Sequence, residues 1–561
     1  MTKTIYPSTL LCDFYKVSHK KQYPENTEVI YSTFTPRSNR YFPEANEVVV
    51  FGVQGFVKKY LIDYFNTHFF NRPKEDVVSE YVRYLKFTMG EENPDSSHIA
   101  ELHDLGYLPI SVKALKEGTL APIKTPVLTL ENTNPKFFWL TNYLETLMSA
   151  EIWQPMTSAT MAYQYRKLLD EYAMKTTGNT DGVGFQGHDF SARGMVGLEG
   201  GAVSGAGHLL SFVGTDTIPA IAYHEYYYNA DIEKELVGAS IPATEHSVMS
   251  ANTDADSRDE FEMFKRLITE VYPTGFFSVV SDTYDFWKVV GEILPRLKDD
   301  IMSRDGRMVI RPDSGTPEDI LCGAIVHKFS NDTTYQEAID HFHAKFLKAN
   351  SQKDSYLFST GVLTDRVTLE RKGGSVVYSL EKAIKPTLEE QGLIEALWDI
   401  FGGTVTEQGY KVLDSHIGAI YGDSITLERA RTIVERLEAK GFASTNVVLG
   451  IGSYTYQYNT RDSLGWAMKA TYAEINGEER LLFKDPKTDD GTKRSQRGRV
   501  AVHKGHDGKL THIDGLYRNT AIGQLAIDPP MDLTDLLETV FENGELKRDQ
   551  SLAEIRQILH G

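Results

Sequence analysis

Short apolar runs recur between residues 155 and 455, and each ends in small or charged residues. The runs are 185–187, 209–213, 240–244, 276–280, 308–310, 417–421 and 447–449. Stretches with a helical pattern, such as 258–270 and 425–440, separate several of them. Alternating strands and helices favour parallel strands joined by crossovers. Because polar residues follow the carboxyl ends of the strands, the pattern predicts an α/β barrel with its chemistry on one face.

The net charge limits the functions that such a barrel can serve. The 561 residues include 59 Lys and Arg against 78 Asp and Glu, a formal net charge of −19. Nucleic acid favours a basic surface, so we expect no nucleic-acid partner. The two cysteines, Cys12 and Cys322, give neither a disulfide framework nor a metal motif. The sequence shows no apolar signal core and no run of membrane-spanning length, so we expect a cytoplasmic protein that binds no membrane.

We call the small or charged residues that end each run a tip. The most informative tip is the segment 187–194, Gly-His-Asp-Phe-Ser-Ala-Arg-Gly. It places an aromatic ring, Phe190, three residues before a guanidinium, Arg193. Such a pair can stack on a planar ring and bind a phosphate or a carboxylate. Taken alone, the segment is equally well explained by a tight turn with a surface arginine, and a structural turn explains each single Asp tip about as well.

A second tip, 450–453, reads Gly-Ile-Gly-Ser and is a candidate phosphate cradle. It is not a P-loop, because no Lys-Ser or Lys-Thr follows, and it lacks the dinucleotide spacing. The other candidate residues at the tips are Asp216, His246, Asp282, Arg311, Asp313 and Asp423. This set indicates a phosphorylated sugar with a planar base, but it does not identify a reaction.

Eleven segments carry a resemblance that covers nearly the whole chain. They are 13–17, 22–24, 138–142, 188–194, 214–217, 242–247, 279–285, 310–315, 422–423, 460–462 and 483–486. In these segments the chain resembles the nicotinate and nicotinamide phosphoribosyltransferase family. The resemblance implies an irregular TIM-like α/β barrel over 155–455, with an insertion at 325–410. It also implies a β-rich (α+β) domain formed by 1–154 and 456–561, and a homodimer with shared active sites.

The resemblance further implies a reaction. Nicotinamide would attack C1 of phosphoribosyl pyrophosphate and give nicotinamide mononucleotide and pyrophosphate, with Mg²⁺, in NAD salvage. ATP would stimulate the reaction by phosphorylating His246. A histidine in this Pro-Ala-Thr-Glu-His turn could equally be structural on the residues alone.

The same resemblance assigns residues to the nicotinamide ring. Phe190 would stack on one face of the pyridine, and Tyr15 of the partner subunit would stack on the other. Asp216 would accept from the carboxamide NH₂ and Arg311 would meet its carbonyl side. Because a carboxylate repels nicotinate, Asp216 favours the amide over the acid. The substrate-binding residues also include Ser240 and Ser278.

The remaining assignments concern the sugar, the phosphates and the metal. Asp282 and Asp313 would serve the ribose or hold Mg²⁺, and Gly422 and Asp423 would hold ribose hydroxyls. The phosphate groups would be bound by a larger set of residues. For the 5′-phosphate these are Gly452 and Ser453 with Arg461 and Lys469 of the partner subunit, and for pyrophosphate Arg37, Arg193, Lys484 and Lys493.

The chain departs from the family pattern at a few positions. Ser191 and Ala192 replace an expected Gly-aromatic pair, and Ile451 and Ser453 stand where more glycine is usual. These departures concern phosphate contacts rather than the class of reaction. The alternative enzyme is a nicotinate phosphoribosyltransferase, which Asp216 argues against. The alternative without catalysis is a scaffold or extracellular binding protein that keeps the fold.

Overall fold

A six-stranded parallel sheet forms the centre of the computed structural model, which describes residues 6–254, 256–422, 424–484, 488, 495–522 and 532–561. The strands are β1 (Gly187–Asp189), β2 (Gly214–Thr215), β3 (Phe277–Val280), β4 (Met308–Arg311), β5 (Ile417–Tyr421) and β6 (Val447–Ile451). Their order in space is β2-β1-β6-β5-β4-β3. Residues between β2 and β3 make parallel bridges to both edges, Gly214 to Ala239 and Ala243 to Ser278.

Two predicted strands are wrong in this sheet. The apolar run 209–213 is a turn that follows the helix Gly197–His208, and the strand starts only at Gly214. Phe212 from this run is buried in the main hydrophobic core, which explains its apolar character without a strand. The run 240–244 contributes one isolated bridge, from Ala243 to Ser278, rather than a strand.

A second, antiparallel sheet has seven strands and draws on both ends of the chain. In spatial order the strands are Glu478–Leu481, Trp466–Ile475, Thr27–Pro36, Leu128–Asn132, Ile110–Ala114, Glu538–Glu542 and Glu545–Leu546. The central pair, Thr27–Pro36 with Trp466–Ile475, joins residues more than 400 positions apart in the sequence. The amino- and carboxyl-terminal segments therefore fold as parts of one sheet.

The helix Glu145–Thr177 connects the two sheets. Its first half, including Met148, Ile152 and Met156, packs in the core of the antiparallel sheet. Its second half, including Tyr165 and Leu169, packs in the core of the parallel sheet. It ends where Gly178 takes the left-handed conformation, with φ of 78°. One continuous helix thus belongs to both hydrophobic cores.

Residues 326–381 form a separate small sheet with its own core. Its strands are Val326–Lys328, Lys353–Ser359, Asp365–Lys372 and Ser375–Glu381. The helix Tyr335–Ala349 covers this sheet and buries Phe342 and Phe346 against it. In contrast, the helix Leu393–Phe401 packs in the core of the parallel sheet. The insertion predicted at 325–410 stays a prediction, as do the domain boundaries.

The remaining elements surround these sheets. The other longer helices are Lys74–Tyr84, Ser97–Leu105, Ile218–Tyr227, Leu427–Ala439 and Leu552–His560. Two-stranded ribbons pair Glu47–Val49 with Leu120–Pro122, Gly403–Val405 with Lys411–Leu413, and Arg499–Lys504 with Leu510–Leu516. None of the helices in the described ranges combines the length and the apolar character needed to cross a bilayer.

Candidate active site

A cavity of about 690 Å³ opens where the parallel strands end. Its lining residues are Phe190, Arg193, Gly194, Asp216, Arg311, Asp313, Gly422, Ser424, Gly452, Ser453, Tyr454, Gln457 and Tyr458. These residues follow or end β1, β2, β4, β5 and β6. Because the strands are parallel, their carboxyl ends lie on one edge of the sheet, and residues distant in sequence line a single cavity.

The backbone around Phe190 is fixed by its neighbours. The Phe190 N–H donates to the carbonyl of Ile451 at 3.0 Å. The next amide, that of Ser191, donates to Oδ1 of the buried Asp189 at 2.8 Å. A Cβ added at Gly450 would lie 2.8 Å from the Phe190 ring, so this position requires glycine. Phe190 is therefore held on the cavity wall by contacts from β1 and β6.

Asp216 presents an ionised carboxylate to the cavity. Its Oδ1 accepts the Ser240 hydroxyl at 2.5 Å and lies 3.0 Å from Nε2 of His188. Burial alone would raise the pKa of Asp216, but hydrogen bonds from His188 and Ser240, with the nearby Arg311, hold it below its ordinary value. Asp216 is therefore a negative group beside Phe190 at neutral pH.

Arg311 lies at the end of β4 among three carboxylates. Its Nη2 donates to the carbonyl of Thr244 at 2.5 Å. Burial lowers the pKa of Arg311, while Asp313, Asp216 and Asp282 oppose that effect. Its Nε is buried and has no hydrogen-bond partner within the described parts of the chain. Such an orphaned donor beside a cavity is suited to an oxygen atom of a ligand.

Asp282 holds the turn that carries Asp313. Its Oδ2 accepts from the backbone amides of Asp313 at 2.9 Å and Ser314 at 2.8 Å, and from the Ser314 hydroxyl at 2.6 Å. Its Oδ1 is buried and, among the residues that are described, has no hydrogen-bond partner. One oxygen of Asp282 thus orders the backbone, and the other lies 3.9 Å from Nε2 of His246 without a hydrogen bond.

His246 begins a short helix, His246–Ala251, and half of its side chain is exposed. Its Nε2 lies 3.9 Å from Oδ1 of Asp282 and 4.0 Å from Oδ2 of Asp313, and its Nδ1 lies 3.2 Å from the Thr283 hydroxyl. One imidazole nitrogen therefore faces two carboxylates while the ring remains open to solvent.

The carboxylates of Asp282 and Asp313 suit Mg²⁺ as part of its set of ligands. Mg²⁺ is usually held by one or two carboxylates together with phosphate oxygens and water. Asp282 and Asp313 converge near one point, and the orphaned Oδ1 of Asp282 is a suitable oxygen ligand. The described residues contain no cluster of three or more His, Cys, Asp or Glu side chains that could hold a metal by themselves. The site therefore suits an ion that arrives with a phosphorylated substrate.

A second cavity, of about 480 Å³, adjoins the first and shares Phe190, Asp216 and Arg311 with it. Ser240 and Ser278, two of the predicted substrate-binding residues, line this second cavity. His188 also lines it, although the sequence analysis gave this residue no role. The available signal was an imidazole two positions before the predicted stacking ring, and the two rings are indeed adjacent, with centroids 4.6 Å apart.

Four predicted residues, Tyr15, Arg37, Arg461 and Lys469, line neither cavity, and we call this group, with Lys16, the cationic patch. The Lys16 ammonium lies 5.4 Å from the centroid of the Tyr15 ring. Lys16 forms an ion pair with Glu145, and Lys469 Nζ lies 3.7 Å from its Oε1. Burial lowers the pKa of Lys469, Glu145 opposes this, and Arg37, Lys16 and Arg461 lower it further.

Lys484 is exposed and lines neither cavity. Asp423 and Lys493 lie outside the described residues. In contrast, Tyr454 and Tyr458 were not predicted, yet they line the main cavity with their rings stacked at 5.0 Å between centroids. Their spacing of four residues directly after the glycine-rich tip could have indicated a shared face.

Comparison with known proteins places this geometry in a class of phosphoribosyltransferases. The model of the "Nicotinate phosphoribosyltransferase (NAPRTase) family" matches residues 185–545, and that of the "Nicotinamide phosphoribosyltransferase, N-terminal domain" matches residues 8–111. The chain belongs to the nicotinate phosphoribosyltransferase family.

Its relatives include nicotinamide phosphoribosyltransferases. The one from Acinetobacter baylyi is 44% identical over 557 residues, covering 98% of this chain and 96% of the relative. The one from Xanthomonas campestris pv. campestris is 29% identical over 548 residues, covering 97% and 96%.

Solved structures support the fold alone. Nicotinate-nucleotide pyrophosphorylase from Pyrococcus furiosus has a TM-score of 0.51 at 13% identity, covering 100% of this chain and 97% of that one. Human nicotinic acid phosphoribosyltransferase has a TM-score of 0.50 at 14% identity, covering 98% and 93%. A mixed α/β fold with a parallel sheet is therefore shared with this family.

Proposed function

We propose that this chain is a nicotinamide phosphoribosyltransferase, which makes nicotinamide mononucleotide and pyrophosphate for NAD salvage. The observation that carries the proposal is the ionised Asp216, which lies beside Phe190 and Arg311 in the cavity. The nicotinamide phosphoribosyltransferase of A. baylyi, 44% identical over nearly the whole chain, supports the same substrate.

The cavity suits attack by a pyridine nitrogen at C1 of the sugar. The ring nitrogen has a free electron pair, so the reaction needs no strong general base. The barrier lies in departure of pyrophosphate and in positive charge that develops on the ribose. Arg193 offers positive charge to phosphate oxygens, and Asp313 offers negative charge to the ribose. Phe190 provides a stacking face for the nucleophile.

Asp216 distinguishes the amide from the acid. A carboxamide NH₂ can donate to the carboxylate, whereas the carboxylate of nicotinate is repelled by it. Arg311 would bind the carbonyl oxygen of the same amide. A site with paired donor and acceptor groups discriminates strongly, because the wrong substrate leaves buried polar groups unpaired.

Asp282 and Asp313 would hold Mg²⁺ delivered with phosphoribosyl pyrophosphate. When bound, the ion supplies charge that stabilises the departing pyrophosphate. Asp282 also orders the Asp313–Ser314 backbone through its other oxygen. Removing its carboxylate would therefore disturb both the metal ligand and the position of Asp313.

His246 is proposed to accept a phosphoryl group from ATP. Its Nε2 would form a bond to the γ-phosphorus while ADP departs, and water would later take the phosphoryl group. The half-exposed ring allows ATP to approach, and the two carboxylates within 4.0 Å would orient the imidazole.

A homodimer would complete the site. The cationic patch contains the residues that the family resemblance assigns to a partner, and none of its described members lines the cavity of its own chain. A second copy could supply Tyr15, Arg461 and Lys469 to that cavity. We also infer that the bridges of residues 239–243 close the parallel sheet as an irregular TIM-like barrel, and that the enzyme works in the cytoplasm.

One experiment tests the proposal. The purified chain is incubated with phosphoribosyl pyrophosphate, Mg²⁺ and either nicotinamide or nicotinate, with and without ATP, and both mononucleotides are quantified. We expect nicotinamide mononucleotide to dominate, and Asp216→Asn to raise nicotinate use relative to nicotinamide. An ATP-dependent increase that His246→Ala abolishes would support the phosphohistidine. Nicotinate mononucleotide as the main product would favour the nicotinate enzyme, and no product would favour the scaffold.

A further inference from the structure

The ring of His188, a residue of β1, lies beside the ring of Phe190, which directly follows that strand. The His188 and Phe190 rings are adjacent, with centroids 4.6 Å apart. His188 is largely buried, and it lines the second cavity at the place where the two cavities meet. His188 therefore lies within β1, whereas the proposed stacking ring, Phe190, follows the carboxyl end of that strand.

The hydrogen-bond partner of His188 shows which of its ring nitrogens carries a hydrogen. Oδ1 of Asp216 lies 3.0 Å from Nε2 of His188 and accepts the Ser240 hydroxyl at 2.5 Å. An ionised carboxylate can only accept hydrogen bonds. His188 must therefore carry its hydrogen on Nε2 and donate it. With two donors on Oδ1, and none on Oδ2 from the described residues, the carboxylate has one oxygen free.

The position of the His188 ring depends on a glycine in the neighbouring strand. His188 pairs with Gly214 in the register of β1 and β2. A Cβ at position 214 would lie 2.8 Å from Nδ1 of His188, a distance too short for either group. The ring therefore packs directly over the Gly214 backbone, and this contact fixes its direction toward Asp216.

We propose that His188 is a positioning residue that sets the preference for the amide over the acid. It holds Oδ1 of Asp216, so that Oδ2 faces the substrate and accepts from the carboxamide NH₂. Without this donor, Ser240 alone holds a carboxylate that can rotate, and the geometry for the amide is lost. The inference rests on the proposed function, and it adds a residue that acts through Asp216.

The test uses three substitutions and the ratio of kcat/KM for nicotinamide to kcat/KM for nicotinate. His188→Leu removes the donor, and we expect the ratio to fall about tenfold, as for one hydrogen bond to a charged group, mainly through a higher KM for nicotinamide. His188→Gln restores an N–H near the position of Nε2, and we expect a ratio within about threefold of the wild type. His224→Leu is the control, because this buried histidine bonds only the Ala206 carbonyl in the described structure.

A double-mutant cycle separates positioning from structural damage. In an Asp216→Ser background, His188→Leu should leave the ratio unchanged, because the residue it acts through is absent. An equal fall in both backgrounds, or a fall that His188→Gln does not repair, would overturn the inference. If the wild type makes neither mononucleotide, the proposed function fails instead. If it makes nicotinamide mononucleotide and His188→Leu keeps the wild-type ratio, His188 alone loses its role.

Discussion

The cavity and the cationic patch are built in opposite ways. The cavity residues stand at strand ends, and buried groups fix them, as Asp282 does for the Asp313 turn and His188 for Asp216. In the patch, Lys16 and Lys469 share one carboxylate, that of Glu145, and Tyr15 is more than half exposed. The first is ordered within one chain, whereas the second is ordered only in part. We infer that the cavity carries the chemistry and that the patch requires a partner surface.

The largest expected effect comes from breaking the ordered region at Asp282. Asp282→Asn should lower kcat/KM by about 10²–10³, the usual cost of losing one electrostatic group at a reacting centre. It also weakens the hydrogen bonds to the Asp313–Ser314 backbone. Steady-state kinetics measure the loss.

The matched control for Asp282 is Asp285→Asn. Asp285 belongs to the same loop, but it caps the helix that starts at Phe286 by accepting from the Lys288 amide at 3.0 Å. Its change should cost at most about 1 kcal/mol of unfolding free energy and leave kcat/KM unaffected. Equal activity losses in both variants would contradict the assignment of Asp282.

A smaller loss is expected from Arg311→Lys. Lysine keeps the charge but loses the planar fork that can bind Thr244 and a ligand together. We expect kcat/KM to fall about tenfold to 100-fold, with little change in thermal stability. Arg304→Lys, four residues before β4, is the control, because Arg304 also donates to backbone carbonyls, those of Tyr272 and Gly275, but lines neither cavity. A similar loss in both would show that the effect is a general weakening of the strand.

Mixing two variant chains tests whether the patch and the cavity of one site come from different copies. An Asp313→Asn chain and a Lys469→Ala chain should each be nearly inactive. If sites are shared between two copies, refolding an equal mixture of the two chains should restore about a quarter of the wild-type activity, because half of the dimers then contain one intact site. No recovery in verified mixed dimers would show that the patch and the cavity of one chain belong to the same site.

The smallest effect concerns the pH dependence of stability at Asp216. Its pKa is below the ordinary value, so its ionised form stabilises the fold above the unfolded pKa, and this contribution disappears as pH falls through the folded pKa. The wild type should exceed Asp216→Asn by less than about 1 kcal/mol at pH 7, since the side chain is partly exposed. Urea denaturation should show the difference starting to shrink as pH falls below about 3.9, the ordinary value, and vanishing below the lower folded pKa. A difference that persists at lower pH would rule out this cause.

The sequence pattern predicted the cavity better than the elements around it. Phe190, Arg193, Asp216, Arg311 and Asp313 line one cavity because parallel strands bring their carboxyl ends together, whatever the connections between them. The run 209–213 was wrong as a strand, because apolar residues that end a helix and residues of a short strand look alike in sequence.

Other parts of the site depend on geometry that the sequence does not contain. The pairing of His188 with Asp216 requires the register of β1 with β2. The stacking of Tyr454 on Tyr458 requires the loop conformation after β6. The roles assigned through the family resemblance to Lys484, Lys493 and Asp423 stay predictions.

The helix Glu145–Thr177 sets a fixed distance within the molecule. Its 33 residues span about 50 Å at 1.5 Å per residue. Glu145, at its first position, pairs with Lys16 and Lys469 of the cationic patch. Tyr165, further along the helix, shares a hydrogen bond of 2.9 Å with Thr455, which lies beside the phosphate cradle. The 20 residues from Glu145 to Tyr165 rise about 30 Å at 1.5 Å per residue, so the helix fixes how far apart these two residues lie. If a second copy supplies the patch residues to the cavity, this fixed distance sets where the two copies must meet.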